Sequence, residues 1–334
     1  MGDIKSIYRV LLDTNEYDIT ASFEYSNPEI DTKPDNADFV ITSHNNPQYL
    51  HGARNIHIQH GYGVGGRMLH ETDEQYQRDY CRQYYALGLY GEDQKNNHVK
   101  RGFDEEKIML LGMPVSVHML EKIIPEERAE WLTSKGLDPD KRTIIFPASW
   151  NNGSERGLFH LWWEDGKEID RVYKLCEYIT DELNCNFIIR LHERHRYTQD
   201  WIRAYRKIFK MYGVLALYLN DDPDIMPYLR YSDQAIGDVS NSNSYFLVMD
   251  KPITYIGDGI LPKWGDKQGG WKIEHRAGRT ANTFEELLEC ITADYNNPQE
   301  YSTERKIAVM ENVSRVGEDS REAIVSEFRR ITNL

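Results

Sequence analysis

Residues 240–244, a run of serines and asparagines, carry side chains that could bind an anion. The run separates two apolar stretches, 234–239 and 245–249, and Pro252 follows the second. This pattern predicts a strand, a turn and a short helix, because Ser and Asn cap first-turn N–H groups and proline ends a helix. A helix N-terminus beside a strand end attracts phosphate. An ordinary capped helix without a ligand is the alternative.

Residues 190–196 form a basic segment in an acidic chain, with three arginines and two histidines in seven positions. The apolar run 186–191 predicts a strand that ends near His192. Guanidinium groups and histidine donors bind phosphate oxygens, so this segment is a candidate pyrophosphate pocket. A solvated surface turn is the alternative interpretation.

A glycine-rich segment follows His60, and its spacing Gly61-x-Gly63-x-x-Gly66 fits the dinucleotide-binding fingerprint by letter. Residues 67–77 lack a clear apolar face, and no strand with an acidic ribose partner follows at the required distance. We therefore interpret the segment as a flexible glycine loop beside His60. The nearby histidines match no standard metal-ligand spacing, so we predict no metal there. These histidines are His44, His51, His57, His60 and His70.

Strands and helices alternate along the chain, which is typical of an α/β fold. Several predicted strands run directly into a polar residue, a glycine or a proline, and ligands bind beyond the carboxyl ends of strands in open α/β sheets. These strand ends are His60, Gly112, Pro147, His192 and Asp238. The strands are predicted at 37–42, 55–59, 107–111, 143–146, 186–191 and 214–219, and the helices at 4–12, 168–183, 201–212 and 283–292. Thr283 is a candidate cap of the last of these helices, with Glu286 at capping-box distance. The stretch 301–331 is predicted to be largely helical.

Length and composition limit the possible classes of protein. A chain of 334 residues predicts two domains, and a net charge of −14 argues against a general nucleic-acid binder. The four cysteines have no metal-binding spacing and suit a reducing compartment. We also expect no transmembrane segment and no signal peptide, because the sequence has no long apolar run.

Six short segments, in order and spacing, resemble motifs of the CDP-glycerol glycerophosphotransferase family, which builds teichoic acids and related capsule polymers. The resemblance covers most of the chain. The segments are His60-Gly61 after a strand, Gly112-Met113-Pro114, 146–150, 190–192, 238–241 with Lys251-Pro252, and 277–291.

The resemblance implies an α/β, GT-B-like fold in which two Rossmann-type domains face each other across a cleft. We place an N-terminal acceptor domain at 1–119 and a C-terminal nucleotide-donor domain at 120–305. A C-terminal helix at 306–334 is expected to pack back toward the N-terminal domain.

The resemblance also implies roles for individual residues. His60 would be the general base that deprotonates an acceptor hydroxyl, a role suited to a pKa near neutrality. Gly61 and Gly63 would lie in the acceptor-side loop. The residues implied to bind the diphosphate and the nucleotide are Arg190, His192, Ser240, Asn241, Pro147, Ser149, Trp150, Met226, Ser232 and Asp238.

The expected substrate is a nucleotide-diphosphate-linked donor, preferably CDP-linked, and no separate cofactor is expected. The acceptor would be a hydroxyl on a glycan or polyol-phosphate polymer, including a lipid-linked one. The expected location is cytoplasmic, with a peripheral position at the inner membrane face left open.

Four positions depart from the family pattern and keep other functions open. Gln59 stands where that family has Trp, Val115 replaces an Arg, Glu193 replaces a Pro and Asn241 replaces the second Ser. A glycosyltransferase or sugar-nucleotide epimerase that uses a UDP- or GDP-sugar is one alternative, since a fold does not fix chemistry. A non-catalytic nucleotide-binding assembly protein is another.

Overall fold

The structure is a computed structural model, and it divides the chain into two compact units. Unit 1 comprises Met1–Glu121 with Met310–Leu334, and unit 2 comprises Lys122–Val309. The residues that the structure describes are 2–19, 38–42, 54–59, 76, 81–148, 168–190, 199–217, 224–238, 242–256 and 275–333.

The described elements alternate between short strands and helices. The strands are β1 (Phe39–Thr42), β2 (Arg54–Ile58), β3 (Ala86–Leu89), β4 (Ile108–Leu110), β5 (Thr143–Pro147), β6 (Asn186–Arg190), β7 (Leu215–Leu217), β8 (Gln234–Gly237), β9 (Ile253–Ile256) and β10 (Arg279–Ala281). The helices are α1 (Gly2–Thr14), α2 (Glu92–Lys100), α3 (Ser116–Met119), α4 (Pro125–Ser134), α5 (Glu168–Glu177), α6 (Gln199–Met211), α7 (Met226–Tyr231), α8 (Ser242–Val248), α9 (Phe284–Asn296), α10 (Ser302–Asn312) and α11 (Glu318–Thr332).

Unit 1 contains a parallel sheet in the order β1-β2-β3-β4. The two faces of this sheet differ in polarity. Ile56 and Ile58 of β2 pack in an apolar core with residues of α1 and α11. His57 and Gln59 alternate with them and are also buried, beside a second cluster that includes Tyr84. The second face therefore places polar side chains in the interior, which is unusual for parallel strands covered on both faces.

Unit 2 contains six parallel strands in the order β7-β6-β5-β8-β9-β10. This is the strand order of the Rossmann fold, in which the chain builds one half of the sheet and then returns to build the other. The reversal lies between β5 and β8. All residues of β5 and β8 are buried. Because a buried strand is apolar along its whole length, the apolar run 143–146 was enough to predict β5.

Helix α9 begins as the sequence predicts. The Thr283 hydroxyl accepts a hydrogen bond from the Glu286 N–H at 3.1 Å. The Glu286 carboxylate in turn accepts from the Asn282 N–H at 2.7 Å. One first-turn donor and the N–H of the residue before the cap are thereby satisfied, which confirms the cap predicted at Thr283.

The stretch 301–331, predicted to be largely helical, forms two helices, α10 and α11, because residues between them bond to strand ends of unit 1. The Ser314 N–H donates to Tyr90 O at 2.9 Å, and the Arg315 guanidinium donates to Leu110 O at 2.7 Å. Gly112 has a φ of +68°, and a side chain there would collide with the Arg315 backbone. The Gly112-x-Pro segment thus serves chain packing in this structure.

Candidate functional site

The carboxyl ends of β5 and β8 lie side by side in unit 2, at the point where the strand order reverses. The edge of the sheet formed by these strand ends is called the carboxyl edge here, and the opposite one the amino edge. Ligands of open α/β sheets bind at the carboxyl edge beside such a reversal. The residues that end β5, β6 and β8 are therefore the candidates for ligand binding.

Arg190 ends β6 directly beside the end of β5. It pairs with Pro147 in the parallel register, and the Ala148 N–H donates to Arg190 O at 3.0 Å. The strands behind both residues are buried, whereas Arg190 itself is half-buried. A guanidinium held at this edge can form two parallel hydrogen bonds to phosphate oxygens.

Asp238 follows the end of β8 on the other side of β5. The register Ile145↔Ala235, continued by two residues, brings Gly237 opposite Pro147. Arg190 and Gly237 therefore flank Pro147, about 10 Å apart, which is two strand spacings. Three of the predicted nucleotide-binding residues, Arg190, Pro147 and Asp238, lie together at the carboxyl edge.

Asn243, in the first turn of α8, forms a hydrogen bond with the residue that follows β8. Its side-chain amide donates to Asp238 O at 2.5 Å. A side chain at Gly237 would come within 2.8 Å of both the Asn243 oxygen and Ile253, so only glycine fits this approach. The contact joins the residue that follows β8 to the first turn of α8.

The side-chain oxygen of Asn243 is a second notable feature of this turn. Asn243 is fully buried, and among the described residues its Oδ1 has no hydrogen-bond partner. Buried polar atoms are nearly always paired, so this oxygen is an acceptor suited to a donor group at the carboxyl edge. Sequence reasoning passed over Gly237 and Asn243, although Asn243 lies in the polar run that suggested the site.

Ser232 and Met226 lie at opposite ends of α7, and the structure separates them. Ser232 precedes β8 at the amino edge, is fully buried, and donates its hydroxyl hydrogen to Tyr228 O at 2.7 Å. Met226 begins α7 and is half-buried. The structure thus does not bring Ser232 to Arg190 and Asp238.

The amino edge carries its own cluster of charged groups. The Arg128 guanidinium donates to the Asp233 carboxylate at 2.8 Å, and the same carboxylate oxygen accepts from the Thr143 N–H at 2.8 Å. Lys251 Nζ donates to Arg230 O at 2.5 Å and to Ser232 O at 2.6 Å, and burial lowers the pKa of Lys251 to about 8. These contacts hold α4 and α7 against the beginnings of β5 and β8.

In unit 1, the predicted general base His60 comes immediately after β2 and Gln59. The Gln59 N–H donates to Gly88 O at 2.9 Å, so the chain is still held to β3 at the residue before His60. Several predicted site residues lie outside the described residues. They are His60, Gly61, Gly63, Ser149, Trp150, His192, Ser240 and Asn241.

The described part of the chain contains no group of three or more His, Cys, Asp or Glu side chains that could hold a metal ion. Of the five histidines near the glycine-rich segment, His57 is described, and its ring stacks on Tyr84 at 4.8 Å between centroids. No described helix is both long and apolar enough to cross a membrane.

No family model and no curated protein matches the sequence. Solved structures, however, match the fold described above. The chain shares its fold with the wall teichoic acid polymerase TagF. One TagF structure matches 98% of this chain and 85% of its own, with 16% identity and a TM-score of 0.68.

Two further solved structures match the fold. A second TagF structure matches 89% of this chain and 73% of its own, with 17% identity and a TM-score of 0.65. A protein from Listeria monocytogenes described as a UDP-N-acetylglucosamine 2-epimerase matches 99% of this chain and 79% of its own, with 12% identity and a TM-score of 0.55. The predicted class, α/β with two Rossmann-type domains as in GT-B proteins, is confirmed.

Proposed function

We propose that the protein is a transferase that moves a polyol-phosphate group from a CDP-linked donor to a hydroxyl acceptor in the synthesis of a cell-surface polymer. The observation that carries this proposal is the convergence of Arg190, Pro147 and Asp238 at the strand reversal of a Rossmann-ordered sheet. The fold shared with the teichoic acid polymerase TagF, one structure of which is described with CDPG, supports a donor of this class.

Donor binding is assigned to the carboxyl edge of unit 2. Arg190, with His192, Ser240 and Asn241, would bind the diphosphate through charge-assisted hydrogen bonds. Asp238 is suited to accept hydrogen bonds from ribose hydroxyls, because an ionised carboxylate is an acceptor only. Contacts to the base and ribose are assigned to Pro147, Ser149, Trp150 and Met226. Ser232 is left out, because its hydroxyl is used at the amino edge.

The proposed chemical step is a displacement at phosphorus. An acceptor oxygen forms a bond to the β-phosphorus of the donor, and the bond from that phosphorus to the bridging oxygen breaks. CMP leaves with the electron pair, and the acceptor proton passes to His60. Arg190 and His192 would stabilise the charge that develops on CMP, through groups positioned before the reaction. Gly61 and Gly63 would let the backbone beside His60 approach the acceptor.

The acceptor is proposed to be a hydroxyl of a glycan or polyol-phosphate polymer, which can be lipid-linked. Such an acceptor would bring the protein to the inner face of the membrane from the cytoplasm. In this proposal the contact with the membrane is peripheral.

A second candidate function is favoured by the epimerase-like fold match. A glycosyltransferase or epimerase acting on a UDP- or GDP-sugar would use the same carboxyl edge, and the nucleotide would leave as a nucleoside diphosphate. A binding protein without catalysis would keep the Arg190 side of the site and lose the role of His60. These three functions differ in ligand and in turnover.

The deciding experiment is calorimetric titration with CDP-glycerol, a UDP-sugar and a GDP-sugar, followed by a transfer assay with a polyol-phosphate acceptor. We expect CDP-glycerol to bind most tightly and CMP to be released. His60→Ala should abolish transfer and change donor affinity by no more than a few fold. His118→Ala, which removes a half-buried histidine that lies 3.0 Å from the Glu121 carboxylate, is the matched control and should leave both unchanged.

Other outcomes would reject parts of the proposal. Preference for a UDP- or GDP-sugar would reject the CDP-linked donor. Tight binding without turnover in the wild-type protein would favour a binding role, and loss of both binding and transfer in His60→Ala would show that His60 supports the fold.

A further inference from the structure

Helix α6 of unit 2 presents a row of cations to solvent. Its inward side chains, Tyr205, Ile208 and Phe209, are buried in the apolar core of unit 2. Basic residues spaced three and four apart lie on the opposite face, because the helix repeats every 3.6 residues. These exposed residues, which form what we call the α6 surface, are Arg203, Arg206, Lys207 and Lys210.

The α6 surface is strongly basic for a protein of this charge. Residues 201–220 contain its four cations and no acidic residue, although the whole chain has a net charge of −14. Lys207 and Lys210 form no ion pair with any described carboxylate. The exposed residues of the neighbouring helix α5 carry both signs, as Asp170 and Lys174 show. The positive field is therefore local to α6 and favours an anionic partner.

Exposed apolar side chains adjoin the α6 surface. Met211, at the end of α6, has 58% of its surface exposed. The ring of Tyr212, the next residue, meets the ring of Tyr173 on α5 at 5.2 Å between centroids. Tyr173 and Ile169 lie one turn apart on α5, and both are exposed. Cations beside exposed apolar groups therefore form one side of unit 2.

This combination fits the interface of an anionic bilayer better than it fits a nucleic acid. Lipid headgroups offer phosphates to the cations, and the acyl boundary beneath them accepts apolar side chains. A nucleic acid would neutralise the cations through its phosphates and would leave Met211 in water. The apolar groups thus decide between two anionic partners that the charge alone does not separate.

The geometry of α6 allows a flat partner to reach all four cations together. Lys210 follows Arg203 by seven residues, which is about 10 Å along a helix axis. The Val214 N–H donates to Phe209 O at 2.9 Å, so the helix ends in a tight turn that leads into β7. The surface is therefore carried by a rigid element that is packed on the sheet.

We propose that the α6 surface, with Met211, docks on a bilayer that contains anionic lipids. This inference goes beyond the proposed function, because it names the part of the molecule that contacts the membrane and does not depend on the reaction. Each cation beside an anionic membrane raises the binding constant about fivefold. Salt screens this attraction over about 10 Å at about 0.1 M, so the docking is reversible and weakens as salt is added.

The test measures binding of the full-length protein to sedimented vesicles. The vesicles contain phosphatidylcholine alone or with about 30% phosphatidylglycerol, an anionic lipid. Lys207→Glu combined with Lys210→Glu reverses two charges of the α6 surface. Lys100→Glu combined with Lys122→Glu makes the same change in net charge at exposed positions elsewhere and is the matched control. Met211→Ser removes the apolar contact without changing the charge.

We expect the wild-type protein to bind the anionic vesicles at least about 30-fold more tightly than the neutral ones. Lys207→Glu with Lys210→Glu should lower that binding at least about 30-fold, and the control pair should stay within about threefold of wild type. Met211→Ser should lower it about threefold or more, since less apolar surface enters the bilayer. If the first pair does not fold, Lys207→Gln with Lys210→Gln replaces it, with an expected loss of about tenfold or more.

Three results would overturn the proposal. They are equal binding of the wild-type protein to both kinds of vesicle, equal losses in the two pairs of charge variants, and tighter binding to a single-stranded oligonucleotide than to anionic vesicles. Binding unaffected by Met211→Ser would contradict the apolar contact. A wild-type protein that docks as expected but has no transfer activity would reject the proposed function and leave the docking surface established.

Discussion

At the amino edge of the unit 2 sheet, Arg128 and Lys251 donate to a carboxylate and to backbone carbonyls of the protein itself. At the carboxyl edge, Arg190 and Asp238 stand beside the strand reversal, and Asn243 keeps a buried oxygen without a partner among the described residues. Both edges are polar; the contacts of the first stabilise the fold, and the second is the edge at which we propose that the donor binds. The comparison teaches that the role of a charged residue depends on the edge of the sheet on which it lies, more than on how close it is to a strand in sequence.

The largest expected effect concerns stability at the amino edge. Arg305 has 1% of its side chain exposed, donates to the Asp250 carboxylate at 2.8 Å, and also donates to Pro298 O at 2.9 Å. Arg305→Met should lower the free energy of unfolding of unit 2 by about 3–4 kcal/mol, because Asp250 loses its buried partner. Donor affinity should not change, since the carboxyl edge is untouched.

Lys306→Met is the matched control for Arg305→Met. Lys306 approaches the same carboxylate at 3.4 Å, but its side chain is 65% exposed. Its loss should cost less than about 1 kcal/mol. Urea unfolding followed by tryptophan fluorescence measures unit 2 alone, because all seven tryptophans lie between Trp131 and Trp271. Equal destabilisation by the two variants would contradict the distinction between buried and exposed partners.

The next effect is a pH dependence of unit 2 stability. Asp294 is buried at 2% exposure, and burial raises its pKa from 3.8 to about 6, against the hydrogen bond from Thr254 and the charge of Arg279. The folded state therefore holds this proton more tightly than the unfolded state. Stability from this group is fully present below pH 4 and is lost as the pH rises through 6, by up to about 3 kcal/mol.

Asp294→Asn isolates that dependence, because the amide does not titrate. The difference in unfolding free energy between the variant and the wild type should change between pH 4 and pH 7. A difference that stays constant over this range would show that Asp294 does not titrate near pH 6. Glu286→Gln, at the beginning of the same helix, provides the exposed control.

The sequence predicted those features that depend on neighbouring residues. The apolar run ending at Pro147 predicted β5, and the Thr283 and Glu286 pair predicted the beginning of α9. The run 186–191 predicted β6, and the structure ends this strand at Arg190. Local pattern suffices in these cases, because hydrophobic burial and capping act within a few residues.

Features that depend on distant contacts could not be predicted. Ser232 was expected at the nucleotide, but α7 ends before it and leaves it at the amino edge. The break between α10 and α11 follows from bonds to Tyr90 and Leu110, about 200 residues earlier in sequence. The buried His98 ring lies 3.3 Å from Gln59 Oε1 and 2.5 Å from the Tyr76 hydroxyl, and no local pattern in the sequence predicts these contacts.

The smallest effect in this series tests the carboxyl edge itself. Arg190→Met should weaken binding of CDP-glycerol by about 30-fold to 100-fold, because a charged hydrogen-bond pair to phosphate is lost while the aliphatic stem remains. Unit 2 stability should change by less than about 0.5 kcal/mol, since Arg190 is half-buried at a strand end. Calorimetry measures the first quantity and tryptophan fluorescence the second. Arg128→Met, at the amino edge, should give the reverse result, with lower stability and unchanged affinity. If both variants affected stability and affinity alike, the two edges would not have separate purposes, and the site would have to be sought elsewhere in unit 2.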